Sequence, residues 1–144
     1  MQRKRFDKEL HDTYDKLGRD VVKKFVADHW GMTAEDNPNR YGIDLLLYKD
    51  NELCGLAEVE VRLSLKTVEF PYEDLNVPQR KRKLLENTGQ PTFFFSVNKD
   101  ATALFHCGAE AVLASELKES SNKYVRSGEY FYKVPLDMLT HVVL

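Results

Sequence analysis

Residues 41–66, YGIDLLLYKDNELCGLAEVEVRLSLK, constrain the fold more than any other stretch of this chain. Two apolar runs flank Lys49, Asp50, Asn51 and Glu52, which is the pattern of a hairpin whose second strand folds back beside the first. In the second strand Gly55, Ala57, Val59, Val61, Leu63 and Leu65 alternate with Glu58, Glu60, Arg62, Ser64 and Lys66, so an apolar row takes one face and a charged ladder the other. Spacing alone is equally consistent with a ladder that faces only water. Asp44 argues otherwise. It stands among Ile43, Leu45, Leu46 and Leu47, a nearly continuous apolar run of the kind covered on both faces. Burying an unpaired charge there costs on the order of several kcal/mol, so the carboxylate needs a partner or a cation. The hairpin brings Asp44 opposite Glu58 with Glu60 close by. Three crowded acids repel one another unless a divalent cation compensates, and hard oxygen ligands suit Mg²⁺ or Mn²⁺.

The remaining chain reads as one domain spanning residues 1–144, long enough for a single core. Hydrophobic residues at 42% and charged residues at 31% match a soluble globular protein. No run is long enough to cross a bilayer and MQRKRFDKELHD lacks the apolar segment of a signal peptide, so a cytoplasmic location is expected. Cys54 and Cys107 have no CxxC spacing and read as reduced structural thiols. His11, His29, His106 and His141 are isolated from one another, and His106 beside Cys107 reads as packing. A net charge of −2 does not announce a nucleic-acid binder, but acidic metal ligands can offset a locally basic groove.

Phe6, Leu10, Tyr14, Leu17, Val21 and Phe25 recur at three and four to predict a helix over residues 6–30 ending at Gly31. Residues 33–40, TAEDNPNR, read as a polar loop, and the second strand of the hairpin is expected to run to about Phe70. A helix is expected from Val77 or Pro78 to about Thr88, with Val77, Leu84, Leu85 and Thr88 inward. Lys81 falls on that inward stripe, where it serves chemistry better than packing unless its stem packs and its ammonium reaches water. TFFFSV at 92–97 is a buried strand and residues 102–107 another. A short helix over 109–117, a polar loop over 118–127, a strand over 129–134 and a helical turn with an apolar tail close the chain. Tyr130 and Tyr132 are either packing residues or bases' stacking partners.

Gly42-Ile43-Asp44-Leu45 followed by Ala57-Glu58-Val59-Glu60-Val61 resembles the PD-(D/E)XK nuclease superfamily, whose motif is an acid at the start of one strand and an acid-X-lysine on the next. Thirteen residues separate Asp44 from Glu58, which suits that motif. Ile43 stands where the family often has proline, and Glu60 where it expects lysine, although some restriction enzymes of the superfamily carry glutamate there. In several branches the catalytic lysine has moved to the following helix, and Val77-Pro78-Gln79-Arg80-Lys81 looks similar to that arrangement.

The resemblance implies an α/β, αβββαβ restriction-endonuclease-like core with a mixed central sheet flanked by helices. It implies a Mg²⁺- or Mn²⁺-dependent DNA endonuclease or exonuclease that reads structure or ends, of the kind used in recombination, repair or phage DNA processing, and it admits a virus-encoded origin. Asp44, Glu58, Glu60 and Lys81 would be catalytic. Asp44, Glu58 and Glu60 would hold metal with an acid of the first helix, Glu9 being preferred over Asp12 and Asp20. Arg40, Arg62, Lys66, Arg80 and Arg82 would follow the DNA phosphates, and paired cuts would need a homodimer. The competing expectation is a catalytically inactive nuclease-fold module that binds nucleic acid or protein.

Overall fold

The hairpin of residues 41–66 is the spine of a mixed six-stranded sheet. The computed structural model describes residues 8–122 and 125–144, the side chains of 8–11 and 120–128 excepted. β1 (Thr33–Asp36), β2 (Leu45–Lys49) and β3 (Glu52–Arg62) form an antiparallel meander, with Leu45 opposite Ala57. Asp50 and Asn51 turn β2 into β3 with φ of 52° and 66°, a conformation that Asp and Asn tolerate better than other side chains. β4 (Asp74–Pro78) leaves this sheet, and β5 (Thr92–Asn98) returns parallel to β3 with Glu58 beside Phe94. β6 (Ala103–Gly108) follows antiparallel, giving the order β1-β2-β3-β5-β6 before the last strand is added at its edge.

One face of the sheet is covered by α1 (Lys8–Trp30), whose Val22, Phe25 and Val26 pack on Leu45, Leu47, Ala57, Phe95, Val97 and Leu104. The opposite face, with Phe94 and Cys107, packs against a three-stranded sheet that carries Leu75, Val77, Tyr132 and Val134. That second sheet joins β4 to β8 (Val125–Pro135) and β8 to β7 (Glu116–Asn122). Two short helices, α2 (Arg82–Leu85) and α3 (Ala109–Leu113), plug its ends with Leu85, Ala109 and Val112. The result is a mixed α/β architecture in which Glu58 of β3 is buried between layers and Glu60 and Arg62 beside it are half-buried. β9 (Thr140–Val143) finishes the large sheet beside β6.

Several expected boundaries are corrected. Part of the polar loop after α1 is β1, an exposed edge strand whose sequence carries no apolar alternation. The helix expected from Val77 is a strand through Pro78, a 3-10 turn at Gln79–Lys81 and the four residues of α2. Leu75 and Val77, two apart, are buried as a strand requires, and cross-strand pairing with Val134 and Tyr132 overrides the helical reading. β3 stops at Arg62, where the Leu65 amide donates to the Arg62 carbonyl at 3.0 Å and turns the chain. The segment 118–127 is largely strand, since Lys118 and Glu119 pair with β8 while facing solvent. Among the described residues no helix is long and apolar enough to cross a membrane.

α1 is rotated from the expected stripe. Val22 and Val26 are fully buried while Leu17 is 37% exposed, because Gly18 is the point of closest approach to β3. A Cβ there would lie 2.5 Å from Val61 Cγ2 and 3.2 Å from Val59 Cγ1. Helix propensity alone would make Gly18→Ala stabilising by about 1 kcal/mol, but overpacking a helix against a sheet costs about 1–3 kcal/mol. Gly18→Ala is therefore expected to lower the unfolding free energy by about 1 kcal/mol in urea titrations; a gain of similar size would mean that α1 is not seated on β3.

Candidate functional site

The loop from Asn37 to Ile43 delivers Asp44 to the start of β2 through its own side chains. Asn37 Oδ1 accepts from the Asn39 amide at 3.0 Å, Asn37 Nδ2 donates to the Ile43 carbonyl at 2.9 Å, and Asn39 Oδ1 accepts from the Tyr41 amide at 3.1 Å. Such Asx turns fix a loop without regular structure. Because β3 continues past the first residue of β2, the Val59 amide has no β2 carbonyl to meet. The Asp44 carboxylate takes that place, its Oδ2 accepting from the Val59 amide at 2.8 Å. In return the Asp44 amide donates to Glu58 Oε1 at 3.3 Å. Asp44 and Glu58 are thus locked across the head of the hairpin, as the sequence led us to expect.

Lys81 comes from the 3-10 turn after β4. Its Nζ donates to Glu58 Oε2 in an ion pair, with the lysine side chain 23% exposed and that of Glu58 3%. Glu58 is pushed up to about 7 by burial first and by the charge of Asp44 second, with Lys81 opposing both. A carboxyl group poised near neutrality between an acid and a lysine is a feature of sites that move protons or bind cations.

In front of this pair lies a cavity of about 240 Å³ lined by Asp15, Arg19, Asp44, Glu60, Arg80 and Lys81, with Val59, Val61 and Pro78 as its apolar floor. Asp15 was not among the expected first-helix acids. It lies three residues before Gly18, and only when Gly18, Val22 and Val26 are recognised as the seated face does that position turn toward β3. Asp12 and Asp20 are exposed, and Asp20 is held by Lys16 at 2.8 Å. Glu9 has its side chain outside the described residues. Arg19, also in the cavity wall, donates from Nε to Asp36 Oδ1 of β1 at 3.2 Å.

The expected phosphate-binding residues divide sharply. Arg80 lines the cavity, and Arg82 lies on the surface beyond it, bound to Glu86 at 2.9 Å. Arg62 is not at a phosphate track. Its Nη2 donates to Glu60 Oε2 at 3.1 Å and to the Asn76 carbonyl at 2.7 Å, so it ties β3 to β4 with a side chain only 17% exposed. Lys66 lies past the end of β3 and is exposed. Arg40 leans on its own neighbour, Tyr41, by a hydrogen bond at 3.0 Å and with its guanidinium 5.1 Å from the ring. His106 packs among Phe25, Trp30 and Phe95, its pKa lowered by burial, and the Cys107 thiol is pushed up to about 12.

Among the described residues no three His, Cys, Asp or Glu side chains gather as a ready metal-ligand set. The expected shell of Asp44, Glu58 and Glu60 is not preassembled, because Glu58 is turned to Lys81 and Glu60 to Arg62. Glu58 and Glu60 each have a local cation in place of a shared one, and Asp44 has the Val59 amide. The donor chemistry still fits a hydrated divalent ion, since Mg²⁺ commonly takes only one or two carboxylates and keeps several waters, and Asp44 and Glu60 line the same cavity.

The raised pKa of Glu58 fixes a sign. Between the ordinary carboxyl value of 4.5 and about 7 the unfolded chain loses this proton while the native state keeps it, so native stability falls as pH rises through that window. In metal-free protein, carbon-13 NMR should show the Glu58 carboxyl titrating near 7, and Lys81→Met should move it higher. A titration at the ordinary carboxyl value in both proteins would contradict the burial assigned here.

No family model, no curated protein and no solved structure matches this chain.

Proposed function

We propose that the chain is a divalent-metal-dependent deoxyribonuclease of the PD-(D/E)XK type. The observation that carries this reading is Lys81, which crosses from outside the hairpin to ion-pair with buried Glu58 while Glu58 is bonded to Asp44. No packing need brings a lysine to a buried glutamate at the mouth of a polar cavity. The order of elements supports the same reading: α1, the β1-β2-β3 meander, and, after the inserted β4 and the one-turn α2, β5 parallel to β3 run in the order of a restriction-endonuclease-like core with one strand added.

Asp44 and Glu60 would hold a Mg²⁺ or Mn²⁺ ion from the cavity wall, with Glu58 behind Asp44. When bound, such an ion polarises a phosphate and lowers the pKa of a coordinated water. The chain's own residues supply the remainder. Arg80 holds a phosphate oxygen at the cavity rim. Lys81 places a positive charge where the pentacovalent phosphorane gathers negative charge, and its ammonium can hold or give a proton at the departing oxygen. Asp15 and Arg19 close the cavity from the α1 side. The substrate is DNA held mainly through its backbone, so affinity falls with salt and sequence preference is low.

A second reading, a DNA-binding module without catalysis, is favoured by one observation: Glu60, at the position of the motif lysine, is occupied by Arg62. Incubation with single-stranded, duplex and branched DNA in Mg²⁺ or Mn²⁺ separates the two. Metal-dependent cleavage that disappears in Glu58→Ala is the expected outcome. Lys81→Ala should slow it by about 100- to 1,000-fold with DNA affinity nearly unchanged. Tight binding without cleavage under any metal would overturn the nuclease and leave the binding module.

A further inference from the structure

A second cavity, of about 560 Å³, adjoins the first. It is lined by Gln79, Arg80, Arg82, Lys83, Glu86, Glu129 and Tyr130, so Arg80 belongs to the walls of both. Its floor is made by a difference in strand length. β4 ends at Pro78 opposite Phe131, and β8 runs on past that pair, so Tyr130, still paired with Glu119 of β7, has no β4 neighbour and stands beside the 3-10 turn that carries Arg80 and Lys81. Tyr132, two residues along on the same face, is 5% exposed and belongs to the core, whereas Tyr130 is 45% exposed. Packing therefore accounts for Tyr132 and not for Tyr130.

The charges around Tyr130 favour an anionic chain. Arg80, Arg82 and Lys83 outnumber Glu86 and Glu129, and Glu86 is engaged by Arg82 at 2.9 Å. An aromatic ring flanked by cations, one of which also reaches the candidate cleavage cavity, has the composition of a single-strand platform: the cations follow phosphates while a base lies on the ring. A base inside a duplex is already stacked between neighbours and presents no free face to a tyrosine. We propose that Tyr130 is a stacking site for an unpaired base next to the cleaved phosphate, with Arg80 bridging the two. The preferred DNA is then single-stranded or frayed at the cut. This inference takes the ligand class, DNA, from the function proposed above.

The test separates binding from cleavage by removing divalent ions. With EDTA present, the affinity of the full chain for a single-stranded oligodeoxynucleotide and for its duplex is measured by fluorescence anisotropy, using a 2-aminopurine label to report stacking. Tyr130→Ala should weaken single-strand binding by about 5- to 100-fold and abolish the quenching of the label, while Tyr130→Phe preserves both. Duplex binding should change little in either variant. The salt dependence should keep its slope in Tyr130→Ala and lose about 0.7 in Arg80→Ala, which removes one phosphate contact. Equal single-strand affinity in Tyr130→Ala, or equal losses on both forms of DNA, would overturn the stacking site. Stacking without metal-dependent cleavage would retire the nuclease and keep this inference. Cleavage with an unaffected Tyr130→Ala would do the reverse, and a chain that neither binds nor cuts DNA overturns both.

Discussion

The structure depends on how one buried carboxylate, Glu58, is accommodated at 2% exposure. It sits in the middle of β3, with α1 behind the sheet and the second sheet in front, so water cannot solvate it. The Asp44 amide meets one oxygen and the Lys81 ammonium the other. Neither arrangement is local in sequence. The first needs β2 to begin one residue after Asp44, and the second needs the chain to cross from β3 through β4 before Lys81 can turn inward. Removing one partner of such a pair costs more than the pair contributes, because the other charge is left stranded. The register of the hairpin, the end of β4 at Pro78 and the 3-10 turn after it are consequently held to one solution.

The same logic runs through the neighbouring charges. Glu60 is answered by Arg62, and Asp36 by Arg19 and Lys23. The charges of the site are therefore balanced within the protein, and any ion entering the cavity would compete with existing partners. Lys81 and Arg80 sit in that wall with Asp15, Asp44 and Glu60, so basic and acidic side chains are contiguous there. Gly18 sets the distance between α1 and β3 that brings Asp15 into the same wall.

What was legible in the sequence follows from how local its cause is. The hairpin, its turn and the facing of Asp44 and Glu58 are encoded by alternation over a few residues, and the structure places them as read. The buried phenylalanine strand and the inward Lys81 were equally readable, although Lys81 arrives on a 3-10 turn after a strand and not on a long helix. The errors share a cause. β1, β4 and β7 are strands by virtue of the strands they pair with, distant in the chain only for β4, and Lys118 or Glu119 carries no mark of pairing with β8. Arg62 alternates correctly onto the glutamate face, but only the tertiary position of the Asn76 carbonyl turns it from a phosphate contact into a strut. Asp15 was hidden because the apolar periodicity of α1 does not show that Gly18 is its contact point with β3. Its neighbours Val22 and Val26 carried the missing signal.

The most direct measurement is a crystal structure of the protein soaked in Mn²⁺, with anomalous scattering used to locate the ion. The account expects a peak in the cavity in front of β3, bound by Asp44 and Glu60 at about 2 Å, with the Lys81 ammonium still within the same wall. A saturating soak that leaves this cavity without an ion, and Glu58 and Glu60 still closed on Lys81 and Arg62, would contradict it.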